Sequence, residues 1–311
     1  MTNVFNYFLP CHTILIFKLK HKFMKIKHLL ITFLFFSNVF SQDDGDDLLK
    51  SLMTDKTSEP VRATFKGTRL INFQTIETSG KRSLDFRISH RFGEFNQGAQ
   101  NLWGLDGGAS IRLALEYSYD GRLQFGIGRT SYEKQFDGFA KYRILKQTTD
   151  NKMPISVTAL QCIYYTTSQD SKYDSLRAYR FSYATQLIIA RKFSEKLSLQ
   201  LSPTYIHLNL VEGANSSNNH FVLGGSGRYK VSKRTAITAE YGYRFTKLQS
   251  STPVYNTLGI GFDIETGGHV FQMHFTNSFG LTENQFLTNT QTSWENWGIR
   301  LGFNISRIFA L

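Results

Sequence analysis

The feature that most constrains this chain is a series of segments, each about ten residues long, in which apolar and polar side chains alternate from Ser83 onward. Successive side chains of a strand point to opposite faces, so this period predicts strands with one apolar and one polar face. In residues 111–119, for example, Leu113 and Leu115 share one face while Arg112 and Glu116 share the other. The pattern predicts a sheet that separates two different environments.

The last segment of the chain alternates in the same way. Its apolar face carries Trp297, Ile299, Leu301, Phe303, Ile305, Phe309 and Leu311. Arg307 interrupts this face only near its end, where an interfacial arginine costs little in a membrane barrel. An aromatic-rich final strand is typical of outer-membrane insertion signals, although this chain ends on Leu and not on Phe or Trp. We therefore predict a membrane-insertion strand with Phe303, Ile305, Phe309 and Leu311 on lipid.

Turns provide a second, independent signal. Tight turns at 120–122, 194–196, 232–234 and 267–268 keep the apolar faces of their flanking strands in register. They predict cross-strand pairs of Tyr117 with Phe125, Ile189 with Leu201, Tyr229 with Ile237, and Phe262 with Met273. Longer polar stretches lie between them, at 93–108, 129–137, 166–179, 209–219, 245–255 and 277–295. Short turns alternating with long loops indicate the periplasmic and extracellular ends of an outer-membrane barrel.

These signals together predict an all-β fold, a transmembrane antiparallel up-and-down β-barrel of about 12 strands over residues 83–311. The strands are expected near 83–92, 109–119, 123–129, 137–146, 155–165, 180–193, 197–208, 219–231, 235–244, 256–265, 269–276 and 297–311. An even number places both ends of the barrel on the periplasmic side. A soluble β protein is the alternative, but it does not account for the alternation of short turns and long loops.

The first 82 residues differ from the rest. Residues 24–41 combine a basic start, an apolar core and small residues before Gln42, which predicts a signal peptide cleaved near Ser41. The alternative is an uncleaved N-terminal membrane anchor. Residues 1–23 have the character of an upstream extension or a long basic region, and residues 42–60 form an acidic periplasmic leader. Residues 61–82 are expected either at the periplasmic rim or inside the lumen, and the sequence favours neither.

Composition excludes several other classes. The mean hydropathy of −0.28 argues against a bundle of transmembrane helices but fits strands with only one apolar face. The net charge of +12 could suggest nucleic acid, yet Lys and Arg are spread singly over many strands, so we expect no nucleic-acid partner. Only Cys162 follows the predicted cleavage site, so no internal disulfide is expected in the mature chain.

Strand parity assigns many charges to the polar, lumen-facing side. The predicted lumen charges are Arg87, Arg91, Arg112, Glu116, Arg143, Arg228, Glu240, Arg244, Asp263, Glu265 and Arg300, together with Asp85 and Arg180. They could pair across strands and fill a closed interior. They could instead line a narrow, positively biased pore that favours small anionic solutes.

Catalytic and metal chemistry find little support. Asp263, Glu265 and His274 fall on the lumen face, but parity places His269 on the apolar face, so the four cannot converge on one metal ion. A hydrolase would need a nucleophile paired with histidine, and nothing in the sequence marks one beside His90, His207 or His220. We expect no enzyme, no metal and no cofactor.

The amino-acid sequences of several segments also resemble those of a known family. The segments are 84–93 (LDFRISHRFG), 104–117 (GLDGGASIRLALEY), 123–145, 187–207, 261–278 (GFDIETGGHVFQMHFTNS) and 302–311 (GFNISRIFAL). They resemble a Bacteroidota family of outer-membrane β-barrel proteins of unknown function, and the resemblance covers nearly all of the chain after residue 60. It implies a barrel in the outer membrane and no assigned reaction. Expected partners are outer-membrane lipid, the barrel-assembly machinery during biogenesis, and a small solute if the lumen conducts. A non-conducting structural or partner-binding barrel is the alternative function.

Overall fold

A computed structural model describes residues 58–212, 216–246, 252–266 and 269–311. The predicted upstream extension, the signal peptide and nearly all of the acidic leader lie outside these residues. The described chain contains twelve strands: β1 (Ser83–Arg91), β2 (Ser110–Ser118), β3 (Leu123–Thr130), β4 (Gln135–Leu145), β5 (Ser156–Thr166), β6 (Phe181–Lys192), β7 (Leu197–Leu208), β8 (Asn219–Lys230), β9 (Thr235–Arg244), β10 (Thr257–Thr266), β11 (His269–Thr276) and β12 (Arg300–Ala310). One short helix, α1 (Glu283–Thr288), lies between β11 and β12.

The strands close into one antiparallel barrel in which each pairs with its neighbours in sequence and β1 pairs with β12. Closure matters because every strand edge then has a hydrogen-bonding partner, which lipid cannot supply. The predicted pairs of Tyr117 with Phe125 and of Ile189 with Leu201 are observed. So are those of Tyr229 with Ile237 and of Phe262 with Met273. The predicted fold is confirmed, including its strand number.

The barrel is inside-out compared with a water-soluble protein. Side chains on its outer face are large, apolar and exposed, for example Leu113 (49% exposed) and Ile127 (67%). Side chains on the inner face are polar and buried, including Arg112 at 1%. A continuous apolar outer surface of this kind is unfavourable in water but matches hydrocarbon. None of the helices among the described residues is long and apolar enough to cross a membrane.

Two sequence predictions about strand ends are wrong. β12 begins at Arg300 and not at residue 297, because Trp297 has left-handed backbone angles that end the extended conformation. Ile299 consequently precedes the strand and is buried, not lipid-facing. Arg180 belongs to the extracellular loop before β6, where it pairs with Asp174 at 3.2 Å, and does not line the lumen wall.

The inner space of the barrel is occupied by two other parts of the chain. Residues 64–79, which we call the plug, precede β1 and are almost entirely buried. Helix α1 turns inward from the loop between β11 and β12, and all six of its residues are buried. The polar sequence of residues 277–295 predicts a long extracellular loop, whereas six of these residues form a helix inside the lumen. A chain segment inside the lumen needs no amphipathic period of its own, so alternation could not reveal this helix.

Candidate functional site: the plugged lumen

The plug enters and leaves the lumen at the end of the barrel that carries the tight turns. Before the plug, Val61 N donates to Gln147 O at 2.7 Å, beside the turn between β4 and β5. After the plug, Ser118 Oγ donates to Ser79 O at 3.0 Å at the end of β2. Because the short turns mark the periplasmic side, the plug is a loop inserted from the periplasm.

Inside the lumen the plug reverses direction through a tight turn. Leu70 N donates to Phe73 O at 3.0 Å, and Thr75 N donates to Thr68 O at 2.8 Å. The Thr75 hydroxyl also donates to Gly67 O at 2.7 Å. These bonds satisfy backbone groups that would otherwise be costly to bury. The reversal leaves three consecutive amides, those of residues 71–73, pointing at the barrel wall.

One carboxylate on β9 receives all three amides. The backbone N–H groups of Ile71 and Phe73 donate to Glu240 Oε2, each at 3.2 Å. The N–H of Asn72 donates to Glu240 Oε1 at 2.8 Å. Successive N–H groups converging on one anion form a concave anion site, here occupied by the protein's own side chain. Glu240, which is 2% exposed, thus anchors the tip of the plug.

An apolar core holds the plug against β5–β8. It contains Phe65, Leu70, Phe73 and Ile76 of the plug, packed with the inward-facing Leu160, Tyr164, Ile188, Ile206 and Val222. Gly224 of β8 makes room for this packing, since a Cβ at that position would lie 2.5 Å from the Phe73 ring. A barrel wall shaped around a plug side chain indicates that the plug is an integral part of the fold.

Ion pairs fill much of the remaining interior. Arg112 binds both carboxylate oxygens of Asp137, at 2.9 and 2.6 Å. The other inward pairs join Arg87 to Asp85 and Glu116, Arg143 to Glu77, Arg228 to Asp263 and Glu265, Lys66 to Glu265, Arg300 to Glu94, and Arg69 to Glu283. Most of the predicted lumen arginines therefore have a carboxylate partner.

Three inward cations have no carboxylate within ion-pair distance among the described residues. Arg91 donates to His90 O, to Ile71 O and to Asn72 Oδ1. Lys141 donates to Thr68 O, Gln74 Oε1 and Glu77 O, all in the plug. Arg244 donates to backbone carbonyls of Thr246, Val254 and Leu287 near the extracellular end. The plug thus supplies most of the acceptors of Arg91 and all three of Lys141.

Helix α1 closes the interior from the extracellular side and contacts the plug directly. Arg69 Nη1 of the plug lies 3.1 Å from Glu283 Oε1, and Glu283 also accepts a hydrogen bond from the Tyr164 hydroxyl at 2.7 Å. The rings of Phe73 and Phe286 meet edge to face at 5.1 Å. The two inserted segments therefore form one packed unit across the lumen.

Burial shows that this unit leaves little space for water. In an open pore the inward side chains would be solvated, yet Arg87, Arg91, Arg112 and Lys141 are each 0–1% exposed. These residues lie on β1, β2 and β4. The burial of these side chains shows that water has almost no access to this part of the interior.

The histidines that we considered have separate environments. His90 lies on the outer face and stacks on Phe303 at 5.0 Å, and His207 Nδ1 lies 2.7 Å from Asn219 Oδ1. His274 is buried inside, beside Arg91 and Gly302. Of the predicted insertion face, Phe309 and Leu311 are exposed, and Phe303 and Ile305 are partly exposed on the same face. The side chain of His269 lies outside the described residues.

The sequence did not reveal the plug contacts. Glu240 and Lys141 are single polar residues at inward positions, and parity says only that they face the lumen. Glu240 was assigned to that face, whereas Lys141 was not singled out. Phe65, Leu70, Phe73 and Ile76 were a usable signal, because apolar residues in a segment of undecided position need a surface to cover them.

Solved structures with a similar shape are outer-membrane barrels. The NanC porin is 9% identical, with 73% of this chain and 99% of that chain covered and a TM-score of 0.46. An outer membrane channel from Pseudomonas putida F1 is 15% identical, with 75% of this chain and 98% of that chain covered and a TM-score of 0.43. The outer membrane phospholipase A from Escherichia coli is 10% identical, with 74% of this chain and 91% of that chain covered and a TM-score of 0.43. These likenesses are too distant to transfer a solute or an activity.

A search of curated protein sequences found no significant match. The sequence profile of the membrane bound beta barrel domain (DUF5777) matches residues 65–309, which includes most of the plug and all twelve strands except the last residue of β12. The match agrees with the closed barrel and its apolar outer face, so the chain belongs to this family of membrane-bound β-barrels.

Proposed function

We propose that this protein is a porin-like outer-membrane barrel that is closed in its resting state by its own N-terminal plug. The observation that carries the proposal is the capture of three consecutive plug amides by the Glu240 carboxylate. The apolar core around Phe73 and the contact with α1 support it. The barrel then acts as a structural or partner-binding protein, and passive flow of solutes is not its resting activity.

A gated channel is the second candidate, and the polar face of the plug favours it. The plug enters and leaves at the same end, so it could withdraw without threading the chain. Withdrawal would strip Lys141, Arg91 and Arg143 of plug acceptors. It would also remove plug partners from the acids Glu240, Glu283 and Glu265, the last of which pairs with Lys66. Arg244, which has no carboxylate within ion-pair distance among the described residues, adds one cation to this balanced set, so an open pathway is expected to prefer small anions.

Planar-bilayer recording separates these states. The wild-type protein is expected to show almost no conductance, whereas a variant lacking residues 64–79 is expected to conduct in discrete steps. Frequent, stable openings of the wild type would contradict closure. If the deletion variant conducts, its reversal potential in a salt gradient measures selectivity, and a cation preference would exclude the anion-favouring pathway.

Two neighbouring glycines provide a matched pair of variants that keep the full chain. Gly224→Leu places a side chain where the Phe73 ring lies, so we expect it to displace the plug and raise conductance. Gly225→Leu adds the same side chain at the next position, where a Cβ meets no atom within 4 Å, and is expected to remain silent. Equal conductance of the two variants would contradict the proposal.

The proposal also covers the location of the protein, the cleavage of its signal peptide and its partners. The family and the apolar outer face support the outer membrane as the location, and we propose that the signal is removed before Gln42. We also propose that the protein has no enzymatic activity and that lipid and the barrel-assembly machinery are its partners. The origin of the chain in the Bacteroidota remains a prediction.

A further inference from the structure

The extracellular end of the barrel contains a cavity of about 150 Å³ above the plugged lumen. Its floor is the polar side of α1, including Asn284 and Gln285, and its walls come from the loops after β3, β5, β7 and β9. Apolar contacts are provided by Leu208 and by the partly exposed Tyr179. The cavity is therefore enclosed by elements from five different loops, with polar and apolar surface side by side.

The charges around the cavity do not suit an anionic ligand. Arg180 already pairs with Asp174 at 3.2 Å and donates to the carbonyls of Thr166 and Ser168. Lys172 lies 3.3 Å from Asp170. Glu133 and Glu212 also line the cavity, and no cation lies within 4.0 Å of Glu133 among the described residues. An anion would therefore meet a carboxylate and find both nearby cations already paired.

A cationic ligand is not favoured either, because the cavity is lined by two cations, Lys172 and Arg180, as well as by the acids Glu133 and Glu212. A neutral polar ligand avoids both conflicts. The groups available to it are amides and a carboxylate. Asn209 and Asn289 each use one side-chain N–H within the described residues, towards Ala178 O and the Tyr132 hydroxyl, and each retains a second amide hydrogen.

Glu133 is held in an unusual backbone conformation at the edge of this cavity. Its φ of 54° lies in the left-handed region, and Lys134 follows with φ 47°. Such angles are unfavourable for non-glycine residues and are concentrated at functional sites. Burial raises the pKa of the Glu133 carboxyl, and Gln285 is its hydrogen-bonding neighbour. A partly buried carboxyl without an ion pair can accept hydrogen bonds from two adjacent hydroxyl groups.

We propose that this extracellular cavity binds a neutral, polyhydroxylated solute of about one sugar ring. Glu133 accepts hydrogen bonds from ligand hydroxyls, the second amide hydrogens of Asn209 and Asn289 donate to ligand oxygens, and Tyr179 covers the apolar face of the ring. Polar groups that fix orientation beside an aromatic surface are the usual composition of a small-molecule site. Binding here does not require an open lumen, because the cavity lies outside the plug.

The test is isothermal titration of the purified full-length barrel in detergent with glucose, galactose, maltose and N-acetylglucosamine, and with galacturonate as the anionic comparison. At least one neutral sugar is expected to bind, and galacturonate is expected to bind at least tenfold more weakly. Tyr179→Ala and Glu133→Gln should each weaken sugar binding by about tenfold or more. Tyr119→Ala and Glu195→Gln change the same residue types at exposed positions in the tight turns and should leave it unchanged.

Three results would overturn the proposal: no binding of any neutral sugar, tighter binding of galacturonate, or sugar binding that survives both cavity substitutions. Heat-modifiable gel mobility establishes that each variant retains a folded barrel. Conductance recordings of the same preparations keep the two ideas separate, because a silent barrel that binds no sugar refutes the site alone. A conducting barrel that binds sugar refutes closure alone.

Discussion

Replacing Glu240 with alanine tests the anchoring of the plug most directly. The change removes the acceptor of the backbone N–H groups of residues 71–73 and leaves the hydrogen-bonded ladder of β9 intact. A buried donor left without a partner costs about 1–3 kcal/mol. Water entering the vacated space recovers part of this cost, so we take about 1 kcal/mol for each amide and about 3 kcal/mol in total.

A free energy of about 3 kcal/mol corresponds to a roughly 100-fold shift in the equilibrium between the seated and the released plug. Hydrogen exchange followed by mass spectrometry measures this shift at the plug itself. Peptides covering residues 64–79 are expected to exchange roughly 100-fold faster in Glu240→Ala, while strand peptides keep wild-type protection. Glu240→Gln retains one acceptor oxygen, so its plug peptides are expected to exchange at a rate between those of the wild type and of Glu240→Ala.

Glu195→Ala is the matched control, because Glu195 is an exposed acid in the tight turn after β6 and its ion-pair partner among the described residues is Lys192. It should not change exchange in the plug. If the plug amides of Glu240→Ala were as protected as those of the wild type, the carboxylate would not be the anchor. Faster exchange throughout the strands would instead show that Glu240 supports the barrel wall, which would also refute the reasoning.

Other expectations follow from the wall and the chain ends. Ile305→Arg places a charge on the lipid face at the middle of β12 and should cost about 2–4 kcal/mol, measured by urea unfolding in lipid vesicles. Arg112→Gln strands the buried carboxylate of Asp137 and should cost about 3–5 kcal/mol; adding Asp137→Asn should recover much of the loss, and no recovery would argue against the pair. Removing residues 309–311 should lower the inserted fraction seen as heat-modifiable gel mobility. N-terminal sequencing of the exported protein should begin at Gln42, and retention of the preceding segment would contradict cleavage.

The barrel wall could be predicted from the sequence because its constraints are local and repeated. Each strand must present apolar residues to lipid at every second position, and each tight turn then fixes the register of its two strands, as with Tyr117 and Phe125. The prediction failed where this repetition stops. At Trp297 and Ile299 the alternation continues by chance, but a left-handed residue ends the extended conformation before β12.

The plug and helix inside the lumen could not be predicted, because their contacts are neither local nor repeated along the chain. Parity showed that Glu240 and Arg91 face inward, but not whether water or protein would meet them there. Their partners, residues 71 and 72, lie far away in sequence, and the bonds are made largely by backbone atoms that any residue could supply. A side chain that binds backbone leaves no matching residue type for a sequence pattern to reveal.

The charge of the inward polar face suggests an anion pathway, but its contacts indicate a closed interior filled by ion pairs. A lumen rich in arginine resembles an anion pathway when it is read strand by strand, yet Arg112 binds Asp137 with two hydrogen bonds and is almost fully buried. Removing such a pair from water is costly and is offset only when both partners are fully bonded. Residues that line a working pore must instead remain solvated, so that ions can enter and leave. The burial of Arg112 and Arg87 therefore favours a closed interior, and flow through this barrel requires the plug to move first.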